Sequence, residues 1–331
     1  MKKLDTEALI RRSISIPIYF VSAGLLTVLF PILLPAMALI STFPKTRGAL
    51  PTFLFVLGYL WYDTFGIIRC AFISVRWRNS EEQFIRNFRL QCQIIDWLKK
   101  LAEKLYRLNI TVINQEVTQL GPAIILPRHA SIADTIIPFV YMAIPEDIHL
   151  RYVLKKELLI DPIFDILGNR LPNYFVDRSG QDTQAAAEGI AELAQTTTKK
   201  EGLVIYPEGS RFSENKRKKI RQKHHNNPGL MQQLDRWPSL LPPRQAGTMA
   251  LLDNNPGLDL IFCVHAGFEG SSHFSSLING SWIKANILIK FWRIPFEDIP
   301  TGKMEKRDFL FEQWDEMETQ LKLLRSTLEK K

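Results

Sequence analysis

Cysteine is scarce in this chain of 331 residues, which has three: Cys70, Cys92 and Cys263. An odd number at such wide spacings makes neither a disulfide framework nor a cysteine-based zinc knuckle. We interpret all three as small buried side chains, since free cysteine is among the most buried residue types, and a reducing compartment suits the folded part. Metal-ligand spacing is also missing from the later histidines, which are His224, His225, His265 and His273. We therefore expect no metal site.

Charge is missing from a long stretch near the N-terminus. No acidic or basic residue occurs from Ser13 to Pro44, and the run Ala49–Ile68 contains only Asp63. Because about 20 apolar residues are enough to cross a bilayer, we interpret the two runs as a membrane helical hairpin, either spanning or re-entrant. Two alternatives are a cleaved signal peptide, whose apolar region is normally about 7–15 residues long, and a buried hairpin of a soluble protein.

Basic residues flank these apolar runs. Residues 1–80 hold nine basic and three acidic side chains, so they carry +6 of the chain's net charge of +8. Four basic residues precede the first run and three follow the second, whereas only Lys45 and Arg47 lie between them. The positive-inside rule then places both ends of the hairpin in the cytoplasm, which in a bacterium means the cell inner membrane. We expect a membrane anchor over residues 1–78 and one folded domain over residues 79–331.

The rest of the sequence alternates between strand and helix patterns. An amphipathic helix with a basic polar face is expected over residues 81–108, where it can pack on a core or lie on a membrane surface. A further helix is expected over Ala133–Met142. The β-rich runs between the helical patterns are Ile110–Ile113, Ala123–Leu126, Leu150–Leu154, Tyr174–Val176, Leu203–Tyr206, Leu260–Val264 and Ala285–Trp292. This alternation predicts an α/β domain in which helices flank a mixed, largely parallel sheet.

A histidine and an aspartate follow the second β-rich run, where residues 127–134 have the sequence PRHASIAD. Ser131 can cap the expected helix, and Asp134, three residues later, can reach back to His129. A carboxylate that accepts a hydrogen bond from one imidazole nitrogen leaves the other nitrogen basic. His129 could then deprotonate an alcohol without help from a nucleophilic Ser or Cys. The alternative is that Asp134 only caps a helix and that His129 is an ordinary loop residue.

Two other β-rich runs end in arginine motifs. Arg178 follows the fourth run, and the fifth leads into the block Glu208-Gly209-Ser210-Arg211. In this block the glycine permits close backbone approach, the guanidinium suits a phosphate, and the glutamate could orient either that arginine or a substrate hydroxyl. Each motif alone is equally compatible with a turn or a surface ion pair. Because ligands bind at strand ends in α/β sheets, the motifs together predict one site.

In their order and spacing, these motifs resemble those of the glycerolipid acyltransferase family, which includes the 1-acylglycerol-3-phosphate and other lysophospholipid acyltransferases. The resemblance covers about residues 123–265, and the apolar N-terminal runs also fit it. The segment Leu241–Arg244 resembles a further block of one branch, and Ile261–His265 resembles the last strand-borne block. The resemblance implies transfer of a fatty acyl group to a hydroxyl of a lysophospholipid. The co-substrate would be acyl-CoA or an acyl-carrier protein, and no cofactor would be needed.

The resemblance also implies a role for each motif residue. His129 would take the proton of the acceptor hydroxyl, and Asp134 would orient His129. The acceptor would be bound by Arg178, Glu208, Gly209, Ser210 and Arg211, with the two arginines at its phosphate. The sequence departs from the family at Arg128, where Asn is common, and at Ser210, where Thr is common. Arg128 and Arg244 are further candidates for the substrate site.

Six basic residues crowd the stretch between Glu214 and His225. Such a run is either a solvated, mobile loop or a contact for lipid headgroups, for the phosphates of the donor or for an acidic carrier protein. Two other functions also suit the sequence. One is a hydrolase on the same scaffold, which would use His129 to activate water, and the other is a non-catalytic membrane lipid-binding protein. A nucleic-acid binder would need its positive charge on a folded face, whereas most of the charge here flanks apolar runs.

Overall fold

The computed structural model describes residues 6–177, 183–269, 271 and 274–330. The helices, in chain order, are α1 (Thr6–Val28), α2 (Phe30–Ile40), α3 (Ala49–Arg76), α4 (Glu81–Tyr106), α5 (Ile144–Glu146), α6 (Pro162–Arg170), α7 (Thr183–Gln195), α8 (Glu214–Lys223), α9 (Pro228–Arg236), α10 (Gln245–Asp253) and α11 (Lys303–Glu329). The strands are β1 (Asn109–Ile113), β2 (Ala123–Pro127), β3 (His149–Lys155), β4 (Tyr174–Val176), β5 (Glu201–Val204), β6 (Asp259–Ala266) and β7 (Asn286–Ile294). Every predicted strand is therefore present, and no strand end is shifted by more than two residues.

The chain divides into two compact units. The first comprises residues 1–108, 154–178 and 277–284, and it holds α1–α4, α6 and β4. The second comprises residues 109–153, 179–276 and 285–331, and it holds most of the sheet and the remaining helices. The boundary at residue 78 between anchor and folded domain stays a prediction.

Apolar helices dominate the start of the first unit. Among the described residues, the helical segments Thr6–Val28 and Pro44–Arg76 are long and apolar enough to cross a membrane. The charge-free stretch holds α2 in addition to most of α1, and the two helices are separated at Leu29. Pro31 lies at the start of α2, where its missing N–H is tolerated, whereas inside a continuous helix it would remove a hydrogen bond.

The core of the first unit forms where α3 packs on α4 and α6. Ile67 and Cys70 of α3 contact Leu90 and Ile94 of α4 and Ile163 of α6 in one buried cluster. Removing such side chains from water supplies the main favourable free energy of packing. Cys70 is buried here and Cys263 is buried in the second unit, as expected, whereas Cys92 of α4 is only half-buried.

A charged contact joins α1 to α6 inside this unit. Arg11 and Arg12 lie 2.9 Å and 3.1 Å from the carboxylate of Asp165, whose side chain is fully buried. Asn169 also donates to that carboxylate at 2.9 Å. Three donors therefore satisfy a charge that would otherwise be costly to bury.

The second unit is built on a sheet whose strands lie in the order β1-β7-β6-β2-β5-β3. Neighbouring strands are parallel except for the antiparallel pair β6 and β7. All residues of β2 and of β5 are buried, as expected for central parallel strands with both faces covered. Helix α11 packs against β6 and β7, and α7 packs against α10. The predicted α/β fold with a mixed, largely parallel sheet is thus confirmed.

Two segments near the ends of the central strands differ from expectation. The helix predicted over Ala133–Met142 is replaced by a 3₁₀ turn, Asp134–Ile136, and a π-helical segment, Phe139–Ala143. The Asp134 side chain bonds to backbone N–H groups upstream of the turn, and Pro138 has no N–H with which to continue an α-helix. The basic stretch is helical as well: Ser213 caps the start of α8, and its hydroxyl accepts the N–H of Lys216.

Candidate active site

The candidate site lies at the carboxyl end of β2, the edge at which open α/β sheets bind ligands. The backbone of β2 ends beside β6, with Pro127 opposite Cys263, and the N–H of Arg128 donates to the Cys263 carbonyl at 2.8 Å. His129 follows immediately. The central position of β2 therefore sets this histidine on a rigid, buried support.

His129 and Asp134 are in direct contact. Nδ1 of His129 lies 2.9 Å from Oδ1 of Asp134, and the carboxylate is fully buried. Its Oδ2 accepts the N–H groups of Ala130 at 2.6 Å and Ser131 at 2.8 Å. Burial alone would raise the pKa of Asp134, but the adjacent His129 and His265 outweigh it and hold that pKa well below its usual value. The carboxylate therefore stays ionised next to the imidazole.

The second ring nitrogen of His129 is available for chemistry. None of the described residues is hydrogen-bonded to Nε2, and no described Ser, Thr or Cys side chain bonds to either ring nitrogen. The Ser131 hydroxyl bonds to Ser271 at 2.8 Å, and burial raises the pKa of the Cys263 thiol well above its usual value. The geometry thus suits a base that acts directly on a substrate proton.

The block after β5 holds the backbone of His129 on both sides. Oε1 of Glu208 accepts the His129 N–H at 2.7 Å, and the N–H of Phe212 donates to the His129 carbonyl at 2.6 Å. The hydroxyl of Tyr206 donates to the Asp134 carbonyl at 3.0 Å, and its ring lies against the imidazole with centroids 4.5 Å apart. This segment therefore fixes the position of the dyad.

Glu208 is buried, and its described partners are backbone groups. Besides the His129 N–H, its Oε2 accepts the N–H of Leu241 at 3.0 Å. Burial raises its pKa to about 8, although the two N–H donors and Arg128 act in the opposite direction. The carboxyl group thus joins three segments of the site. Its contact with an acceptor stays a prediction.

Gly209 and Arg244 lie against each other. Gly209 has a φ of +67°, and a Cβ on it would meet Cδ and Nε of Arg244 at 2.7 Å. The N–H of Arg244 also donates to the Pro207 carbonyl at 2.8 Å. The two sequence blocks that resemble family motifs are therefore packed together, and the absence of a side chain at Gly209 makes room for the guanidinium.

The other predicted binding residues differ in exposure. Ser210 is buried, Arg211 is half-buried and Arg244 is exposed. Arg178 lies outside the described residues. The acceptor-binding roles of these side chains stay predictions.

Arg128 is a fully buried guanidinium next to the dyad. It donates through one terminal nitrogen to the His265 carbonyl at 2.7 Å, and the same nitrogen lies 3.6 Å from Glu269. Its Nε and other terminal nitrogen have no hydrogen-bond partner among the described residues. The buried surroundings of Arg128 could not be inferred from its sequence position, which indicated only an added charge beside His129.

His265 is the site residue that sequence reasoning missed. Its sequence position indicated the end of a strand-borne block and no metal site, yet its Nε2 lies 3.5 Å from Oδ2 of Asp134. The register of β2 and β6 was needed to find it, because two residues beyond the pair Pro127 and Cys263 come His129 and His265. Within the described part of the chain, no three or more His, Cys, Asp or Glu side chains converge as metal ligands.

Comparison with known proteins relates the chain to a family and to a fold. Residues 109–235 match the model of the Acyltransferase family. No curated protein matches the sequence. Among solved structures, the fold is similar to that of the 1-acyl-sn-glycerophosphate (LPA) acyltransferase PlsC from Thermotoga maritima, with a TM-score of 0.56 and 16% sequence identity. The match covers 85% of this chain and 98% of that one, and at this identity it shows the fold alone.

Proposed function

Because residues 109–235 match the model of the Acyltransferase family, we propose that this chain transfers a fatty acyl group from an acyl thioester to a hydroxyl of a lysophospholipid. The acceptor would be 1-acylglycerol-3-phosphate or a related lysophospholipid. The observation that carries the proposal is the contact between His129 and Asp134 at the carboxyl end of β2. A buried, ionised Asp that accepts from Nδ1 keeps the proton there and leaves Nε2 as the base.

The reaction follows from the free nitrogen of His129. Nε2 takes the proton of the acceptor hydroxyl while the hydroxyl oxygen attacks the thioester carbonyl carbon. The resulting tetrahedral intermediate collapses, the carbon–sulfur bond breaks, and the thiolate leaves with the proton that the imidazolium held. Asp134 stabilises the imidazolium between these steps. The scheme needs no acyl-enzyme and no cofactor, only acyl-CoA or an acyl-carrier protein as co-substrate.

Arginines provide a site for the acceptor phosphate. Arg211 and Arg244 belong to two segments that meet at Gly209, and a planar guanidinium binds phosphate in bidentate fashion. A role for Arg178 at this phosphate stays a prediction from the sequence. An anion held near His129 would orient the adjacent glycerol hydroxyl toward Nε2.

The outer face of α8 offers charges to the phosphates of the donor. Lys218, Lys219 and Lys223 are exposed, while Ile220 of the same helix packs on the cluster of Ala130, Phe212 and Leu241. Ala130 directly follows His129. An acyl donor that contacts these lysines would therefore lie on a helix that touches the loop after β2, which carries His129.

The apolar helices support a location at the membrane. The segments Thr6–Val28 and Pro44–Arg76 have the length and composition to cross it. We propose that the second unit works at the cytoplasmic face, as the distribution of basic residues favours. A lysophospholipid would then arrive through the bilayer and the thioester from water.

The test is an assay of the purified full chain in phospholipid nanodiscs. Radiolabelled palmitoyl-CoA is supplied with a panel of lysophospholipids, and products are identified by mass spectrometry. We expect a diacyl product from at least one acceptor and none from a folded His129→Ala variant. Full activity of that variant would overturn the proposal. Free fatty acid released without any acceptor, with no diacyl product, would instead indicate the hydrolase.

A further inference from the structure

Two histidines flank one carboxylate in this site. Nδ1 of His129 lies 2.9 Å from Oδ1 of Asp134, and Nε2 of His265 lies 3.5 Å from Oδ2 of the same residue. The second imidazole comes from β6, which pairs in parallel with β2. Asp134 therefore has a ring at each carboxylate oxygen, only one of which the reaction uses.

Burying the His265 imidazole costs free energy unless the ring interacts with Asp134. The residue is fully buried, and neither ring nitrogen has a hydrogen-bond partner within the described ranges. A buried polar group without a partner loses its hydration without compensation. The ring packs edge-on against Phe268, with centroids 5.7 Å apart, and Arg128 holds its backbone carbonyl. These contacts keep the imidazole facing the carboxylate.

We propose that His265 is a positioning residue of the acyl transfer, which holds the Asp134 carboxylate in place and limits how strongly that carboxylate stabilises protonated His129. With its proton on Nε2, His265 directs an N–H toward Oδ2, the oxygen that also accepts from Ala130 and Ser131. Each donor draws negative charge away from Oδ1. Asp134 then stabilises protonated His129 enough for it to form, and weakly enough that it releases its proton to the leaving thiolate. The inference rests on the proposed function, because it concerns the same site.

The charged and titratable groups around this pair of histidines come from several elements. Cys263 and Tyr206 stay neutral over the working range, because burial raises the pKa of each well above its usual value. Glu208, whose pKa is raised to about 8, titrates on the alkaline side. Among the described residues, the site also holds Arg128 after β2, Tyr152 of β3, Glu269 after β6 and Arg325 of α11. The acid limb of the pH profile is therefore compared between variants that differ only at His265.

The experiment compares His265→Leu with His265→Gln in the full chain in nanodiscs. Rates are measured with palmitoyl-CoA and 1-acylglycerol-3-phosphate between about pH 5 and about pH 8, the range in which histidine titrates. In metal sites, loss of an outer partner of an imidazole ligand typically costs about ten-fold or more. By analogy, we expect His265→Leu to lower kcat by about ten-fold with little change in KM. Its acid limb should move to higher pH, since Asp134 then stabilises the imidazolium more strongly. Gln places an N–H near the former Nε2 and should restore most of both properties.

A second measurement is independent of turnover. The ring proton of His129, identified by its absence in His129→Ala, is titrated by NMR without substrates. We expect its midpoint to rise in His265→Leu and to return toward the wild-type value in His265→Gln. The matched control is Cys263→Ala, which removes a neighbouring buried side chain of β6 without changing a donor to Asp134. It should leave the midpoint and the acid limb unchanged.

The outcomes separate the two proposals. If the wild type is active and His265→Leu has the same acid limb and the same His129 midpoint, the positioning role is overturned. Equal changes in Cys263→Ala would also overturn it, because they would trace the effect to packing. If the wild type is inactive but the His129 midpoint still rises in His265→Leu, the acyl transfer is overturned while the coupling between His265 and His129 stands. If His265→Leu fails to fold, the comparison uses wild type and His265→Gln, including the NMR titration of His129. A ten-fold loss of kcat in His265→Gln with an unshifted acid limb would then contradict the proposal.

Discussion

Glu208 accepts the backbone N–H of His129 through Oε1 at 2.7 Å, so the Glu-Gly-Ser-Arg block supports the base before any substrate is bound. Its other oxygen holds the N–H of Leu241. A single carboxyl group thus links the loop after β2 to the segment that leads to Arg244. Changes at Glu208 should therefore affect the placement of His129 even where the acceptor is not involved.

The first prediction concerns the stability of the chain as a function of pH. Burial raises the pKa of Glu208 from 4.5 to about 8, so between these values the folded protein holds a proton that the unfolded chain has lost. The free energy of unfolding should therefore fall as pH rises through this window, because the folded state binds more protons. Glu208→Gln removes the titration. Between pH 5 and pH 8, differential scanning fluorimetry should show the Tm of the wild type falling relative to the Tm of Glu208→Gln, since the unfolded and folded pKa values of Glu208 bracket this range. Parallel Tm curves would contradict the raised pKa.

Asp134→Asn should preserve the fold and abolish most of the activity. The amide can keep a bond to the ring but favours the wrong tautomer, and it cannot balance the imidazolium charge. In serine proteases, the equivalent change in the triad lowers kcat by about 10⁴-fold, and we expect a loss of at least about 10³-fold here. The control is Asp315→Asn, which removes an exposed ion pair with Arg236 and should keep normal turnover. Activity of Asp134→Asn within a few-fold of wild type would remove Asp134 from the mechanism.

Arg211→Ala should weaken binding of a phosphate-bearing acceptor more than it slows chemistry. A hydrogen bond to a charged group is worth roughly 1.5–3 kcal/mol, which corresponds to a rise in KM of about ten-fold or more. Steady-state kinetics with 1-acylglycerol-3-phosphate give the KM, and Arg236→Ala is the matched control because its guanidinium pairs with Asp315. An unchanged KM in Arg211→Ala would place the acceptor phosphate elsewhere.

Gly209→Ala should both destabilise the chain and disturb Arg244. The residue has a φ of +67°, which L-residues adopt at a cost of roughly 1–2 kcal/mol, and the new Cβ would displace the Arg244 side chain. Thermal unfolding should show a lower Tm, and kinetics a raised acceptor KM. Gly257→Ala is a useful comparison, since its φ is +101° but no atom lies within 4 Å of its Cβ position. A similar rise in KM in that variant would rule out the local explanation.

Replacing Lys218, Lys219 and Lys223 together by Gln should raise the KM for acyl-CoA at low ionic strength. Surface charges attract phosphates over about 10 Å at 0.1 M salt and about 3 Å at 1 M, so the difference from wild type should vanish in high salt. Lys199 and Lys200, equally exposed but placed before β5, provide the control double variant. A KM that is insensitive to the triple change at low salt would show that the donor does not use this face of α8.

Local patterns in the sequence were sufficient to predict the architecture. Short β-rich runs between helical patterns located the seven strands of the described residues, and the five-residue spacing between His129 and Asp134 predicted a contact that measures 2.9 Å. Both are short-range features, because a β-rich run and a turn after a strand depend on neighbouring residues. The same reasoning predicted a regular helix after Asp134, where side-chain bonds to the backbone and Pro138 impose a tighter turn followed by a π-helical segment.

Contacts between distant parts of the chain could not be predicted in this way. Glu208 was interpreted as a ligand for an arginine or a hydroxyl, whereas its partners in the structure are the N–H groups of His129 and Leu241. The proximity of His265 to Asp134 depends on strand order, since β6 lies beside β2 in the sheet although about 130 residues separate them. Strand order is decided by the packing of the whole sheet.

The pairing of Arg11 and Arg12 with Asp165 has a practical consequence for anyone who wishes to shorten the protein. Deleting α1 to obtain a more soluble form would leave Asp165 with Asn169 as its one side-chain donor among the described residues. Removing the partners of a buried charge costs about 3–5 kcal/mol, a large part of the roughly 5–15 kcal/mol by which domains are stable. A truncation that starts after Val28 should therefore carry Asp165→Asn, so that the remaining helices do not have to solvate an orphaned anion.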